Sequence, residues 1–175
     1  MKQGHGQAMD MLLQITKDGK GAFYHPLCNV AIAPNSNPLL ITHELGHAIN
    51  ANSFKGAKYL CPALRAIPLV GAVVIPAIAM WKAFSNKENS FIKDNAGKIT
   101  FLSFLPMIGE EALASARALK NSIAAKASKT VIQNQKKAFG LALSTYGAAA
   151  VLAGLTSAAC VKLASIYTNA RKNSN

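Results

Sequence analysis

Residues 138–161 run for 24 positions without a charged side chain, in a chain whose net charge is +12. A helix rises about 1.5 Å per residue, so this stretch is long enough to cross the roughly 30 Å hydrocarbon core of a bilayer. In that setting backbone groups must be satisfied within the segment, which demands a helix. Ala150, Gly154 and Ala158 recur at every fourth position, the small-residue spacing that lets membrane helices approach closely. A second uncharged run, residues 66–81, ends at Trp81-Lys82 as an interfacial anchor does. It is short for a span, and Pro68 and Pro76 interrupt it. A short span, a re-entrant segment and a buried helix all stay open for it. A third run, residues 99–109, is too short to span alone. The competing reading is a hydrophobic soluble helical bundle.

Composition points the same way. The 175 residues give room for one domain, 51% of them are hydrophobic and only 15% are charged. Nineteen Lys and Arg face seven acids, a balance suited to nucleic acid, an acidic protein or an anionic membrane face. The lysines are scattered and show no aromatic interleaving, which speaks against nucleic acid and leaves the lipid bilayer as the expected partner. The basic cluster Arg117, Lys120, Lys126, Lys129, Lys136 and Lys137 precedes the last apolar run and reads as cytoplasmic. No cleavable signal is expected, because the chain opens on polar residues followed by a weak amphipathic stretch at 9–15. Cys28, Cys61 and Cys160 have no paired spacing and read as reduced. Both points favour a functional part on the cytoplasmic side. No internal repeat is found, and residues 169–175 form a polar tail expected to fray.

The chemistry sits in His43-Glu44-Leu45-Gly46-His47. On a helix, two histidines four residues apart project from one face and can grip one metal ion. The glutamate between them stands where it can take a proton from an activated water. The alternative is an ordinary amphipathic helix. Asn37 and Pro38 supply a cap and a first helical residue, and the apolar positions from Leu39 to Ile49 carry the helix to about residue 52. Gly46 leaves room for another backbone to approach the metal side. Buried imidazoles and a buried carboxylate are expensive alone, and a Zn2+ ion is the simplest partner.

A catalytic zinc site needs a third protein ligand and an open fourth position. His5 lies in a glycine-flanked start and His25 precedes Pro26, so both read as incidental; Glu88 and Asp94 fall in a polar stretch, 85–98, that reads as a solvated loop. Glu110 and Glu111 remain, opening a helix expected to run to about residue 129. From Glu111, helical spacing gives Ala114, Ser115 and Ala118, a small face that can lie directly on the motif helix. From Glu110 it gives Leu113, Ala114 and Arg117, a bulkier face ending in a charge. Glu111 is therefore the expected ligand, and Glu110 the alternative, with a role limited to favourable charge at a helix N-terminus.

The pentapeptide together with Glu111-x-x-Ala114-Ser115-x-x-Ala118 resembles the gluzincin metallopeptidases. The likeness is to their membrane-embedded group, which includes the bacterial heat-shock zinc protease and the CAAX prenyl protease, and it covers residues 23–119. The resemblance implies His43, His47 and Glu111 as zinc ligands and Glu44 as catalytic base. One departure stands out: the family pattern has an aspartate where this chain has Ser115. That aspartate would orient a metal-bound histidine; serine accepts a hydrogen bond but brings no charge. Tyr24, Arg117 and Tyr146 are the candidates for stabilising an oxyanion. Residues 28–33 alternate, with Val30 and Ile32 on one face, as in a half-buried strand. The resemblance implies edge pairing with an extended peptide; a purely structural β-arm is the alternative.

The expected fold is thus mainly α: a helical, membrane-associated, metalloprotease-like domain with a short β-arm before the motif helix. Its expected parts are a strand plus motif helix (24–53), an apolar hairpin-like region (63–109), a third-ligand helix (110–129) and a membrane helix (138–168). The expected activity is zinc-dependent hydrolysis of peptide bonds in a peptide or protein substrate. A catalytically inactive metal-binding scaffold is the alternative, and a membrane bundle with a coincidental motif is a third possibility.

Overall fold

The computed structural model describes residues 21–34, 38–85 and 90–174. The expected cap Asn37, as well as His5, Glu88 and the stretch at 9–15, lie outside them. Among the described residues the fold is mainly α, with one small sheet. Strands β1 (Phe23–His25) and β2 (Val30–Ile32) pair antiparallel, with Tyr24 opposite Ala31. They precede helix α1 (Pro38–Ala51), which is followed by α2 (Ala57–Phe84), α3 (Phe91–Ser103), α4 (Leu105–Ala124) and α5 (Lys129–Asn173). The β-arm is therefore a hairpin in which only part of 28–33 is strand. Cys28 and Asn29 belong to its turn, where Asn29 takes a left-handed φ of 53°, a conformation that Asn tolerates better than most residues.

Several boundaries differ from the sequence reading, each for a physical reason. Helix α2 runs unbroken through Pro62, Pro68 and Pro76. Each proline removes one helical hydrogen bond, but in an apolar segment leaving the helix would strand many more backbone groups. The expected loop 85–98 is instead helical from Phe91, so Asp94 sits in the first turn of α3 beside Lys93. Phe104 alone separates α3 from α4 and itself keeps right-handed helical angles. Pro106, lacking an N–H for the Leu102 carbonyl, accounts for the break. Helix α4 starts five residues before Glu110 and ends at Ala124 rather than near 129. There Ala127 N–H donates to the Ser122 carbonyl at 3.0 Å and Lys126 N–H to that of Ile123 at 3.0 Å, with Lys126 at φ 56°. This is a Schellman end. Ser128 then caps α5, its Oγ accepting from Val131 N–H at 3.3 Å. The supposedly frayed tail is helical as far as Asn173.

The packing forms two compact units. One comprises the chain up to Pro62 with Glu110–Gly140; it holds the β-arm, α1, most of α4 and the start of α5. Within it α1 and α4 approach so closely that a Cβ at Gly46 would run into the Ala114 carbonyl. Ala114 and Ala118 are fully buried on this face, as the small spacing from Glu111 requires. The other unit comprises Ala63–Gly109 with the chain from Leu141 onward. Its core joins Ala79, Ala96 and Val161, with Ile75, Met80 and Ile92 packed against them. Gly97 lies against the Gly154 carbonyl and the Ala158 side chain, so the small-residue stripe of α5 is used as a close helix contact.

Large aliphatic side chains point outward. Leu69, Leu141, Leu152 and Leu163 are each at least 66% exposed, whereas the largest fully buried side chains are Gln135, Thr100 and Ser157. Three stretches, Ala57–Phe84, Phe91–Ala124 and Lys129–Asn173, are helical, long and apolar enough to cross a membrane. Small and polar inside with aliphatic outside is the pattern expected when the surrounding solvent is lipid.

The Gly46 contact generates a test. Adding a methyl at Gly46 meets backbone, so α1 and α4 must separate, and Gly46→Ala is expected to cost about 1–3 kcal/mol. At Gly140, where nothing among the described residues lies within 4 Å of an added Cβ, the same change should stabilise by up to about 1 kcal/mol through helix propensity. Thermal unfolding of the detergent-solubilised protein, followed by circular dichroism, should show the two variants moving in opposite directions.

Candidate metal centre

Four polar residues face α4 from α1, because His43, His47 and Asn50 recur at helical spacing and Glu44 lies beside them. Two carboxylates come from α4. His47, Glu44, Glu110 and Glu111 are only 3–7% exposed, and the His43 side chain is 15% exposed. So many ionisable groups together in an apolar protein require mutual compensation or a ligand.

The donor atoms converge. The Nε2 atoms of His43 and His47 are 3.0 Å apart. Glu111 Oε2 lies 3.2 Å from the first and 3.4 Å from the second. Ligand atoms on a tetrahedral zinc with bonds of about 2.0–2.1 Å are separated by about 3.3 Å, so this triangle has the size of one face of such a tetrahedron. Glu44 also belongs here, offering a carboxylate oxygen within 4.8 Å of ring nitrogens of both histidines.

Each ring is also met on its far side. His47 Nδ1 lies 2.9 Å from Glu110 Oε1, and a neutral imidazole that donates from Nδ1 keeps its Nε2 lone pair toward the triangle. Ser115 Oγ lies 3.3 Å from His43 Nδ1, and a hydroxyl that accepts there turns the His43 Nε2 lone pair the same way. In that tautomer two nitrogen lone pairs and a carboxylate oxygen face one another at 3.0–3.4 Å, an arrangement that a cation at its centre relieves. The donor set fits a divalent metal: two imidazoles and one carboxylate, with orienting partners behind the rings.

His43, Glu44, His47 and Glu111 are therefore brought together as the sequence reading had it, and Ser115 stands behind His43. The role assigned to Glu110 needs correction. It is neither at a helix N-terminus nor exposed: it is buried in the second turn of α4 against His47, and Asn50 Nδ2 donates to its Oε1 at 3.0 Å and to its carbonyl at 3.2 Å. Asn50 was missed, although its position three residues after His47 and seven after His43 puts it on the face that carries both histidines.

Two other supports come from α5. Gln135, fully buried, donates to Thr42 Oγ1 at 3.0 Å and to Ser122 Oγ at 2.8 Å. It thereby links the residue preceding His43 to the end of α4. One turn on, the Phe139 ring packs against the His43 imidazole, centroids 5.4 Å apart. Nothing short of the fold indicates the contacts of Gln135 with Thr42 and of Phe139 with His43, since they join positions 93 and 96 residues apart.

The remaining candidates fall elsewhere. His25 Nδ1 accepts from Cys28 N–H at 3.2 Å within the hairpin turn. The Tyr24 hydroxyl donates to Asn29 Oδ1 at 2.8 Å, and Asn52 Nδ2 donates to the same oxygen at 3.1 Å. This ties the hairpin to the end of α1. Arg117 has a buried Nη1 without a hydrogen-bond partner among the described residues. Tyr146 belongs to the other compact unit.

Compared with known proteins, the chain matches no family model, no curated protein and no solved structure. The resemblance to gluzincins is one of sequence motifs alone.

Proposed function

We propose that this chain is a membrane-associated zinc metalloendopeptidase of the gluzincin kind. The observation that carries the reading is the triangle of His43 Nε2, His47 Nε2 and Glu111 Oε2, with Glu44 beside it. His43, His47 and Glu111 would hold the metal. When bound, zinc supplies a Lewis acid that polarises a scissile carbonyl and acidifies water. Glu44 is the general base: buried on the same helix, it takes the proton of the attacking water and delivers it to the leaving amine. Glu110 and Ser115 keep both Nε2 lone pairs turned inward throughout. The substrate is a peptide or protein segment, and the hairpin preceding α1 offers a strand edge along which an extended chain can pair.

The membrane reading adds a topological condition. Glu111 must lie on the membrane side that holds His43, so the residues between them cross twice or not at all, and the runs 66–81 and 99–109 are the segments available for such a hairpin. We assign that side to the cytoplasm, where the basic cluster from Arg117 to Lys137 belongs. The second reading, a metal-binding scaffold without turnover, draws on Ser115: a neutral partner behind His43 makes that imidazole a weaker donor than an aspartate would.

Three measurements test these statements. Detergent-purified wild type should contain about one zinc per chain, with the metal lost in His47→Ala and in Glu111→Ala; unchanged zinc in both variants would remove the protease reading. Glu44→Gln should retain metal and abolish peptide hydrolysis, whereas full activity in that variant would overturn the mechanism. Single cysteines at positions 55 and 126, introduced in a background lacking Cys28, Cys61 and Cys160, should react with an impermeant maleimide from the same membrane side, and one at position 85 from the other. Labelling of 55 and 126 from opposite sides would be incompatible with a site shared by α1 and α4.

A further inference from the structure

The two metal-facing histidines are not supported alike. His47 is backed at 2.9 Å by the carboxylate of Glu110, a residue only 5% exposed, and Asn50 Nδ2 donates both to that carboxylate and to the Glu110 backbone carbonyl. His43 is backed by a neutral hydroxyl at the longer distance of 3.3 Å. We infer that Glu110 is the charged positioning residue of this centre: the negative charge that orients and strengthens the imidazole donors has been placed behind the second histidine instead of the first, and Ser115 is its neutral counterpart. This inference rests on the metal reading above and adds to it the source of the site's affinity.

The charge balance explains why one carboxylate behind the rings suffices. Glu44, Glu110 and Glu111 are all buried; counted as ionised beside two neutral imidazoles and a divalent cation, they leave the centre with one net negative charge. An aspartate at 115 in addition to Glu110 would raise that to two, within a few ångströms and away from water, where like charges repel strongly. Ser115 is therefore matched to Glu110, and the two positions must be coupled. Geometry supports the same division of labour. Asn50 lies on α1 with both histidines, so its hydrogen bonds fix the Glu110 carboxylate relative to the helix that carries the ligands. Ser115 reaches His43 with a single short side chain.

The prediction has the form of a double-mutant cycle. Glu110→Gln keeps an oxygen to accept from His47 Nδ1 but removes the charge; Zn2+ affinity, measured by competition with a chromophoric chelator, should fall by about 10- to 100-fold. Ser115→Asp alone should not raise affinity, because it overcharges the centre. Combined with Glu110→Gln, it should recover most of the loss, and the visible absorption of the Co2+-loaded double variant should return toward the wild-type spectrum. A defect in folding would not be repaired by Ser115→Asp, so the rescue separates charge placement from structural damage. The inference is overturned if Glu110→Gln binds Zn2+ as wild type does, or if Ser115→Asp changes affinity equally in both backgrounds. Wild type that binds neither Zn2+ nor Co2+ would instead overturn the proposed function, so the two failures read differently.

Discussion

Everything around the candidate centre depends on the close contact of α1 with α4 at Gly46 and Ala114. Side chains on facing helices usually hold the axes about 8–10 Å apart. Removing the side chain at one contact point and keeping a methyl at the other lets the backbones come nearer. Only then does a glutamate on α4 reach both Nε2 atoms of a histidine pair on α1, at 3.2 and 3.4 Å. The same approach brings Asn50 onto the Glu110 carbonyl and carboxylate. Polar convergence is thus a consequence of backbone distance, and backbone distance is a consequence of residue size.

That dependence shows which parts of the site were legible in the sequence. The His43, Glu44, His47 spacing and the small face running from Glu111 through Ala114 to Ala118 are local patterns on single helices, and helical periodicity is enough to read them. The choice of Glu111 over Glu110 as the residue facing both histidines followed from the neighbours each glutamate keeps. What Glu110 does instead could not be read locally, because it was expected at a helix N-terminus. Pro106 starts α4 five residues earlier than the glutamates suggested, which takes Glu110 out of the solvent-facing first turn. Gln135 and Phe139 were beyond reach for another reason. Their partners, Thr42 and His43, lie 93 and 96 residues away in sequence, and no local periodicity encodes such a pairing.

The fold was legible at the level of apolar runs and misread at their ends. Residues 138–161 are helical as expected, but α5 extends beyond them in both directions, from Lys129 to Asn173. Prolines 68 and 76 read as interruptions because in water a broken helix can hydrogen-bond to solvent. In an apolar segment it cannot, and the helix persists through them. The burial pattern, with aliphatic groups exposed and Thr100, Gln135 and Ser157 inside, is compatible with helices that cross a membrane.

A packing scheme of that kind has a consequence for the centre. In a soluble core, position is enforced by interlocking large side chains; here the fully buried residues of α4 facing α1 are alanines, which specify distance but not rotation about the helix axis. Rotation is instead specified by hydrogen bonds. Glu110 to His47 and Asn50 fixes one side of the contact, Ser115 to His43 the other, and Gln135 pins Thr42 and Ser122 from α5. Each of these groups is expensive to bury without its partner, so a turn of either helix away from the observed setting is penalised several times over. The polar groups behind the two imidazoles therefore hold the orientation that alanine and glycine leave open, and they aim His43 Nε2, His47 Nε2 and Glu111 Oε2 at one another in the same arrangement that holds the helices in register.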